Sequence, residues 1–198
     1  MPKEPFTLSK AVRIITAPPI AALLALIILY AAKPDAFGSL GQLITMVFFL
    51  VIVPISAYPL QSLMKKYRQK GRDGQRNLAL IMTFFGYLFG LLTAVLTKAS
   101  KAVFFIYLVY FVSGLLIVLS SKVLHFKASG HACGVAGPIA LLVYALGPWG
   151  LAGLVALVAV FISSLHLKRH TLKELFAGSF ISCASFLVLL LLFRYPLT

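Results

Sequence analysis

Carboxylates are nearly missing from this chain. Four Asp and Glu residues stand against 18 Lys and Arg, a formal net charge of +14 over 198 residues, and after Asp73 the only acidic side chain is Glu174. That scarcity leaves little for the outer shell on which a metal-dependent hydrolase relies. Cysteine is scarce as well. Cys133 and Cys183 both fall inside apolar runs, where buried thiols are the plain reading and neither a disulfide nor a metal pair is expected. Charge of either sign is thin, with 11% of residues charged and 61% hydrophobic, which excludes a soluble globular domain of ordinary composition. Internal repeats, low-complexity tracts and disordered linkers are also lacking. Residues 1–198 therefore read as a single integral membrane domain with no room for a soluble one.

What is present is a succession of apolar runs at 12–32, 40–60, 78–96, 103–119, 131–146, 151–163 and 172–192. A membrane-spanning helix needs roughly 20 apolar residues, so the expected fold class is all-α, a polytopic membrane helical bundle of six or seven spans. The fifth and sixth runs are short and joined by Gly147-Pro148-Trp149-Gly150. They read as a hairpin with an interfacial tryptophan at its turn and its ends extending into polar segments. Pro18-Pro19 is expected to kink the start of the first run.

The cations cluster in short loops. The stretch 65–76, with Lys65, Lys66, Arg68, Lys70, Arg72 and Arg76, is the strongest cytoplasmic signal. Lys3, Lys10 and Arg13 lie two spans earlier, and 122–129 and 168–173 lie two and four spans later, so all belong to the same side. The opposite loops carry only Lys33, Lys98, Lys101 and Arg194. This is the pattern of a positive-inside bias combined with anionic lipid or phosphate binding rather than of a nucleic-acid groove. The segment Asp73-Gly74-Gln75-Arg76 reads as a solvated basic loop.

Two polar islands, 122–131 and 163–178, hold all four histidines. The first offers Lys122, Lys127, Ser129, Gly130 and His131 at the opening of an apolar helix, where free backbone amides and the helix dipole favour an anion. The second offers Lys168, Arg169 and His170, with Glu174 four positions past the imidazole. A carboxylate one turn away fixes the ring's tautomer and raises its basicity, which prepares a histidine for nucleophilic attack. Metal-free cleavage of a phosphate ester needs a nucleophile, cations and amides for the phosphoryl oxygens, and an acid for the leaving alcohol. The islands supply a candidate for each. The plainer readings stand beside these: an interfacial ion pair that starts a helix for His170 with Glu174, and topology determinants touching headgroups for Lys168, Arg169 and Lys173. His125 and His166 read as ordinary interfacial residues.

Ser129-Gly130-His131, followed about forty positions later by His170 and Glu174, resembles the second and third signatures of the type 2 phosphatidic acid phosphatases. Those signatures are Pro-Ser-Gly-His and a Ser-Arg pair followed by His and then Asp. The third is matched by Ser163, His170 and, as Glu for Asp, Glu174, with Ala177-Gly178 beyond. The resemblance covers roughly 122–178. It implies the helical bundle shared with vanadium haloperoxidases and a double displacement on a lipid phosphate of the phosphatidate or polyprenyl phosphate class. His170 is then the nucleophile that becomes a phosphohistidine, Glu174 its orienting carboxylate and His131 the acid for the departing lipid oxygen. Lys122 resembles the lysine of the first signature, and Ser129 and the Gly130 amide the phosphate-holding group of the second. The arginines depart from the pattern: the first signature lacks its Arg-Pro, and Ser164 stands where the third has arginine. Lys127, Lys168 and Arg169 are candidate substitutes.

The function expected is an integral membrane lipid phosphatase with no cofactor and no metal, acting at the cytoplasmic side, with a lipid phosphate and membrane lipids as partners and no nucleic acid. Two alternatives belong to other classes. One is a metal-dependent membrane hydrolase using His166 and His170 with His125 or His131. The other is a noncatalytic lipid-phosphate binder or transporter.

Overall fold

The computed structural model describes residues 7–194, and every regular element among them is helical. Lys3, one of the basic N-terminal residues counted above, lies outside the described residues. Helices α1 (Leu8–Ile15) and α2 (Pro18–Ala32) meet at a bend of 46°. Pro18 forces Ala17 into an extended conformation (ψ 140°), which ends α1, and the two prolines then sit in the first turn of α2 where a missing N–H costs nothing. The expected kink is therefore a break, and the segment before it starts earlier than the apolar run does.

The second run is one 24-residue rod made of α3 (Leu40–Val47), a π-helical stretch Phe48–Ile52 and α4 (Val53–Leu63). The wide turn lies just ahead of Pro54, whose ring and missing N–H cannot join a regular α ladder. The basic stretch after it is mostly helical rather than a loop: α5 (Lys65–Arg68) leads through Gly71, at φ +52°, into α6 (Gly71–Leu96). Asp73 in the first turn of α6 faces the positive end of the helix dipole.

Helix α7 (Lys101–Lys122) is the most buried of the five candidate spans. Its Phe105, Ile106, Tyr107 and Val109 are buried with Leu26, Met46 and Leu50 in the main core. Glycines let α6 come close. Gly90 faces the Tyr107 ring and Gly86 the Phe49 carbonyl, at separations that leave no room for a Cβ.

Helices α8 (Gly130–Leu146) and α9 (Leu154–His166) are joined by a 3-10 turn, Gly147–Gly153, and Trp149 at the turn is exposed. A Cβ on Gly150 would strike the backbone of Val143, and one on Gly153 the side chain of Ile139. The chain has therefore doubled back on itself, as the glycine-rich linker implies. Helix α10 (Leu172–Phe193) packs along α8. By length and composition, five stretches of the chain suffice to cross a membrane, with Gly130–His166 counted once, and six do if α1 and α2 act together. The arms of the hairpin, 17 and 13 residues, are about 26 and 20 Å long at 1.5 Å per residue, each shorter than a hydrocarbon core of roughly 30 Å. The chain is an all-helical integral membrane bundle. Both cysteines are free thiols, and Cys183, expected to be buried, is exposed on α10.

Candidate functional site

The two islands meet at one end of the bundle. Ser129, the N-cap of α8, is fully buried, and its Oγ accepts from the Ala132 amide (3.3 Å). Its own N–H donates to the carbonyl of Glu174 (2.8 Å), so the openings of α8 and α10 are bonded directly. Gly178 makes the approach possible, because a Cβ there would fall on the Ser129 carbonyl. The Ser129 hydroxyl is thus occupied in capping the helix that carries Gly130 and His131.

Helix α9 delivers the second island through a Schellman turn. The Arg169 amide bonds the Ser164 carbonyl (2.9 Å) and the Lys168 amide the Leu165 carbonyl (2.9 Å), while Lys168 takes the left-handed conformation at φ +48°. Arg169 and His170 are thereby turned back to the rim, half-buried, whereas Lys168 is exposed. Thr171 then caps α10. Its Oγ1 accepts from the Glu174 amide (3.3 Å), and Glu174 Oε2 accepts from the Thr171 amide (3.0 Å), a capping box.

The same Glu174 Oε2 lies 3.0 Å from His170 Nδ1. The side chains of His170 and Glu174 are only 14% and 19% exposed, so the pair is sheltered as well as helix-starting. With Nδ1–H donated to the carboxylate, Nε2 keeps the lone pair. Burial pulls the imidazole below its ordinary value of 6.5, the charges of Arg13 and Arg76 pull the same way, and the hydrogen bond and charge of Glu174 oppose them. The ring therefore stands neutral at pH 7, with Nε2 able to attack or take a proton.

His131 is held from the other side. Its Nε2 lies 3.1 Å from Thr16 Oγ1, and the Thr16 hydroxyl donates its one hydrogen to the Val12 carbonyl (2.8 Å). Thr16 must therefore accept from His131, which fixes Nε2 as the protonated nitrogen. The charges of Arg13, His170 and Arg169 all act on this ring, so the two imidazoles share one electrostatic environment.

Two residues of the site escaped the sequence reading. Arg13 of α1 donates through Nη1 to Ser164 Oγ (2.5 Å). Arg76 of α6 donates to Ser121 Oγ (2.9 Å) and reaches His170 by its charge, so the segment read as a solvated basic loop contributes to the rim. Arg13 reads in the sequence as one of the basic residues flanking the first span, and the one hint of its partner is the serine at 164 where the resembled signature has arginine. The remaining predicted residues are more peripheral. Lys122 bonds Asn77 on α6 (3.0 Å), and both it and Lys127 are exposed. His125, at φ +53°, and His166 at the end of α9 are also exposed. Among the described residues no three His, Cys, Asp or Glu side chains gather into a group able to hold a metal ion.

The arrangement brings a neutral, carboxylate-oriented imidazole, a second imidazole bonded to Thr16, and guanidinium groups from separate helices to one end of a membrane bundle. Compared with known protein families, curated proteins and solved structures, the chain matches none.

Proposed function

We propose that this chain is an integral membrane lipid phosphatase, a divergent relative of the type 2 phosphatidic acid phosphatases, acting on a phosphomonoester or diphosphate of a lipid. The observation that carries this reading is the occurrence of His170 and His131 on different elements of one rim, with the Nδ1 of His170 on Glu174 and arginine charge acting on both rings. In the reaction, Nε2 of His170 attacks phosphorus and the bond to the lipid oxygen breaks. His131, taking part as the imidazolium, gives the proton on its Nδ1 to that leaving oxygen while Nε2–H stays on Thr16 Oγ1, and a phosphohistidine remains. Water then attacks phosphorus with His131 as base, the N–P bond breaks, inorganic phosphate leaves and both histidines are restored. Glu174 balances the charge that appears on the His170 ring during each displacement.

The amphiphilic character of the substrate is supported by the surroundings. An apolar cavity of about 370 Å³ opens between α8, α9 and α10 and begins at Ala136, five residues along α8 from His131. An acyl or prenyl chain suits such a lining. The basic residues of the rim support a cytoplasmic face for this end by the positive-inside bias, and with it a substrate made on the inner leaflet.

The test is release of inorganic phosphate from a panel of lipid phosphates by the purified full chain, beside His170→Ala and His131→Ala and with orthovanadate as inhibitor. Release that vanadate blocks and His170→Ala abolishes is the expected result. No release from any substrate overturns the enzymatic reading, and retained binding in that case identifies a lipid-phosphate binder. Loss of release on chelation overturns the metal-free mechanism.

A further inference from the structure

Helix α1 is too short to span a membrane and carries exposed Leu8, Ile14 and Ile15 on its outer side. Its other side is turned against α9, where Arg13 meets Ser164 and Thr16 meets His131. The 46° break at Thr16 and Ala17 gives α1 this direction. A helix that merely continued α2 would carry the Arg13 guanidinium away from α9.

Arg13 is an anomaly in charge terms. It is half-buried, it touches a neutral hydroxyl, and among the described residues no carboxylate pairs with it. Among the described residues the one carboxylate at the histidine pair, Glu174, is already shared between His170 Nδ1 and the Thr171 amide. Among the described residues the charges of Arg169 and Arg72 act on Arg13, and the opposing influence comes from the Tyr58 hydroxyl rather than from a carboxylate. Sheltering a guanidinium among like charges is costly unless an anion completes the arrangement. One Nη1–H is given to Ser164, and the other four guanidinium N–H groups are left for a ligand.

We propose that Arg13, delivered by α1, is the guanidinium ligand of the phosphoryl group at this site, an inference that rests on the phosphatase reading above. Ser164 Oγ then acts as the positioning partner that aims the guanidinium, and the small serine leaves space on α9 for a group arriving from another helix. A planar fork matches two phosphoryl oxygens at once, which neither exposed Lys127 nor exposed Lys168 reproduces as a point charge.

The experiment compares the full chain with Arg13→Ala, Arg13→Lys and Ser164→Ala in detergent micelles, reading kcat/KM on phosphatidate and inhibition by orthovanadate. Arg13→Ala is expected to lose about 100-fold in kcat/KM, the scale of removing one oxyanion donor, with vanadate inhibition weakened in parallel. Arg13→Lys should regain only a minor part. Added guanidinium ion should restore activity to Arg13→Ala and not to Ser164→Ala, a response that a purely structural role for Arg13 does not produce. Should Arg13→Ala fail to fold, Arg13→Lys decides. Parent-level kcat/KM and vanadate sensitivity in either variant, with phosphate release by the parent intact, overturn the role of Arg13 and leave the phosphatase reading standing. A parent inactive on every lipid phosphate overturns both.

Discussion

The two ends of the bundle solve the same problem, closing helices with polar groups, in opposite ways. At the far end the polar side-chain contacts that tie separate elements together end in caps or loop closures. Ser39 caps α3 through the Gln42 amide (3.2 Å), Gln42 Oε1 accepts from the Ser100 amide (3.1 Å), and Ser100 caps α7 while donating to the Ala36 carbonyl (2.5 Å). All of those partners are neutral. At the histidine end the caps are equally complete, with Ser129 on α8 and Thr171 on α10. There, however, the charges of arginines from α1, α6 and the turn after α9 act on one or both of two imidazoles, and Glu174 bonds one of them. The far end demonstrates that this scaffold closes well without charge. The rim adds a concentration of basic charge that the far end does without, and under the proposed function an anionic substrate is what that charge serves.

The largest effect that separates the ends is on chemistry. His170→Ala should reduce phosphate release by about 10⁴-fold, as loss of a covalent nucleophile does. Lys101→Ala, at the exposed start of α7 on the far end, should leave release within about twofold, since an exposed charge away from the site alters little. Parallel turnover assays on the two variants check this, and equal losses would erase the distinction. Next in size is a pair of glycines. Gly178→Ala drives a methyl group into the Ser129 carbonyl and should cost about 3 kcal/mol by overpacking. Gly41→Ala in α3 meets only Ser39 Oγ at 3.6 Å and should gain up to about 1 kcal/mol from helix propensity. Thermal unfolding in detergent measures both.

Much of the scaffold was legible because its punctuation is local. Pro18-Pro19 breaks the first run, Gly147 to Gly150 closes a hairpin, and Ser129 caps the helix carrying His131, each from chemistry within a few residues. The pairing of His170 with Glu174 was legible for the same reason. What was not legible depends on chain distance. Arg13 looks like any basic residue flanking a first span, and only the direction of α1, set by the break at Ala17, brings it 151 positions along the sequence to Ser164. Arg76 was hidden differently: the basic stretch containing it reads as solvated until α6 is seen to begin at Gly71 and carry that side chain toward Ser121. Lys168 attracted attention by its charge, whereas its backbone performs the turn.

The plain reading of Glu174 as a helix-starting residue is correct as far as it goes, since it completes the capping box. Glu174→Gln separates that role from catalysis, because glutamine serves at the third position of the box while losing the negative charge that faces His170. It should keep thermal stability within about 0.5 kcal/mol and lower turnover by about 10- to 100-fold. Thr171→Ala should do the reverse, with about 1 kcal/mol lost from the cap and turnover little changed. On the far end, Ser100→Ala should resemble Thr171→Ala. If Glu174→Gln retains full turnover, the carboxylate is a cap and nothing more.

The smallest effect is the most specific to the rim. Because burial holds His170 below 6.5, its neutral form persists into acid, and the acidic limb of kcat/KM should lie below pH 6.5. The sign of the linked stability follows. The unfolded chain binds the proton more readily than the folded one, so this group destabilises the folded state as pH falls from 6.5 through the folded value and is neutral toward stability above that range. Arg76→Ala removes a positive charge that acts on the ring and should move the limb upward, toward 6.5. Glu174→Gln removes the opposing charge and should move it downward. Lys98→Ala, on the far end, should leave it in place. Profiles of kcat/KM against pH for the four proteins test the set, and an acidic limb unmoved by Arg76→Ala would detach α6 from the site.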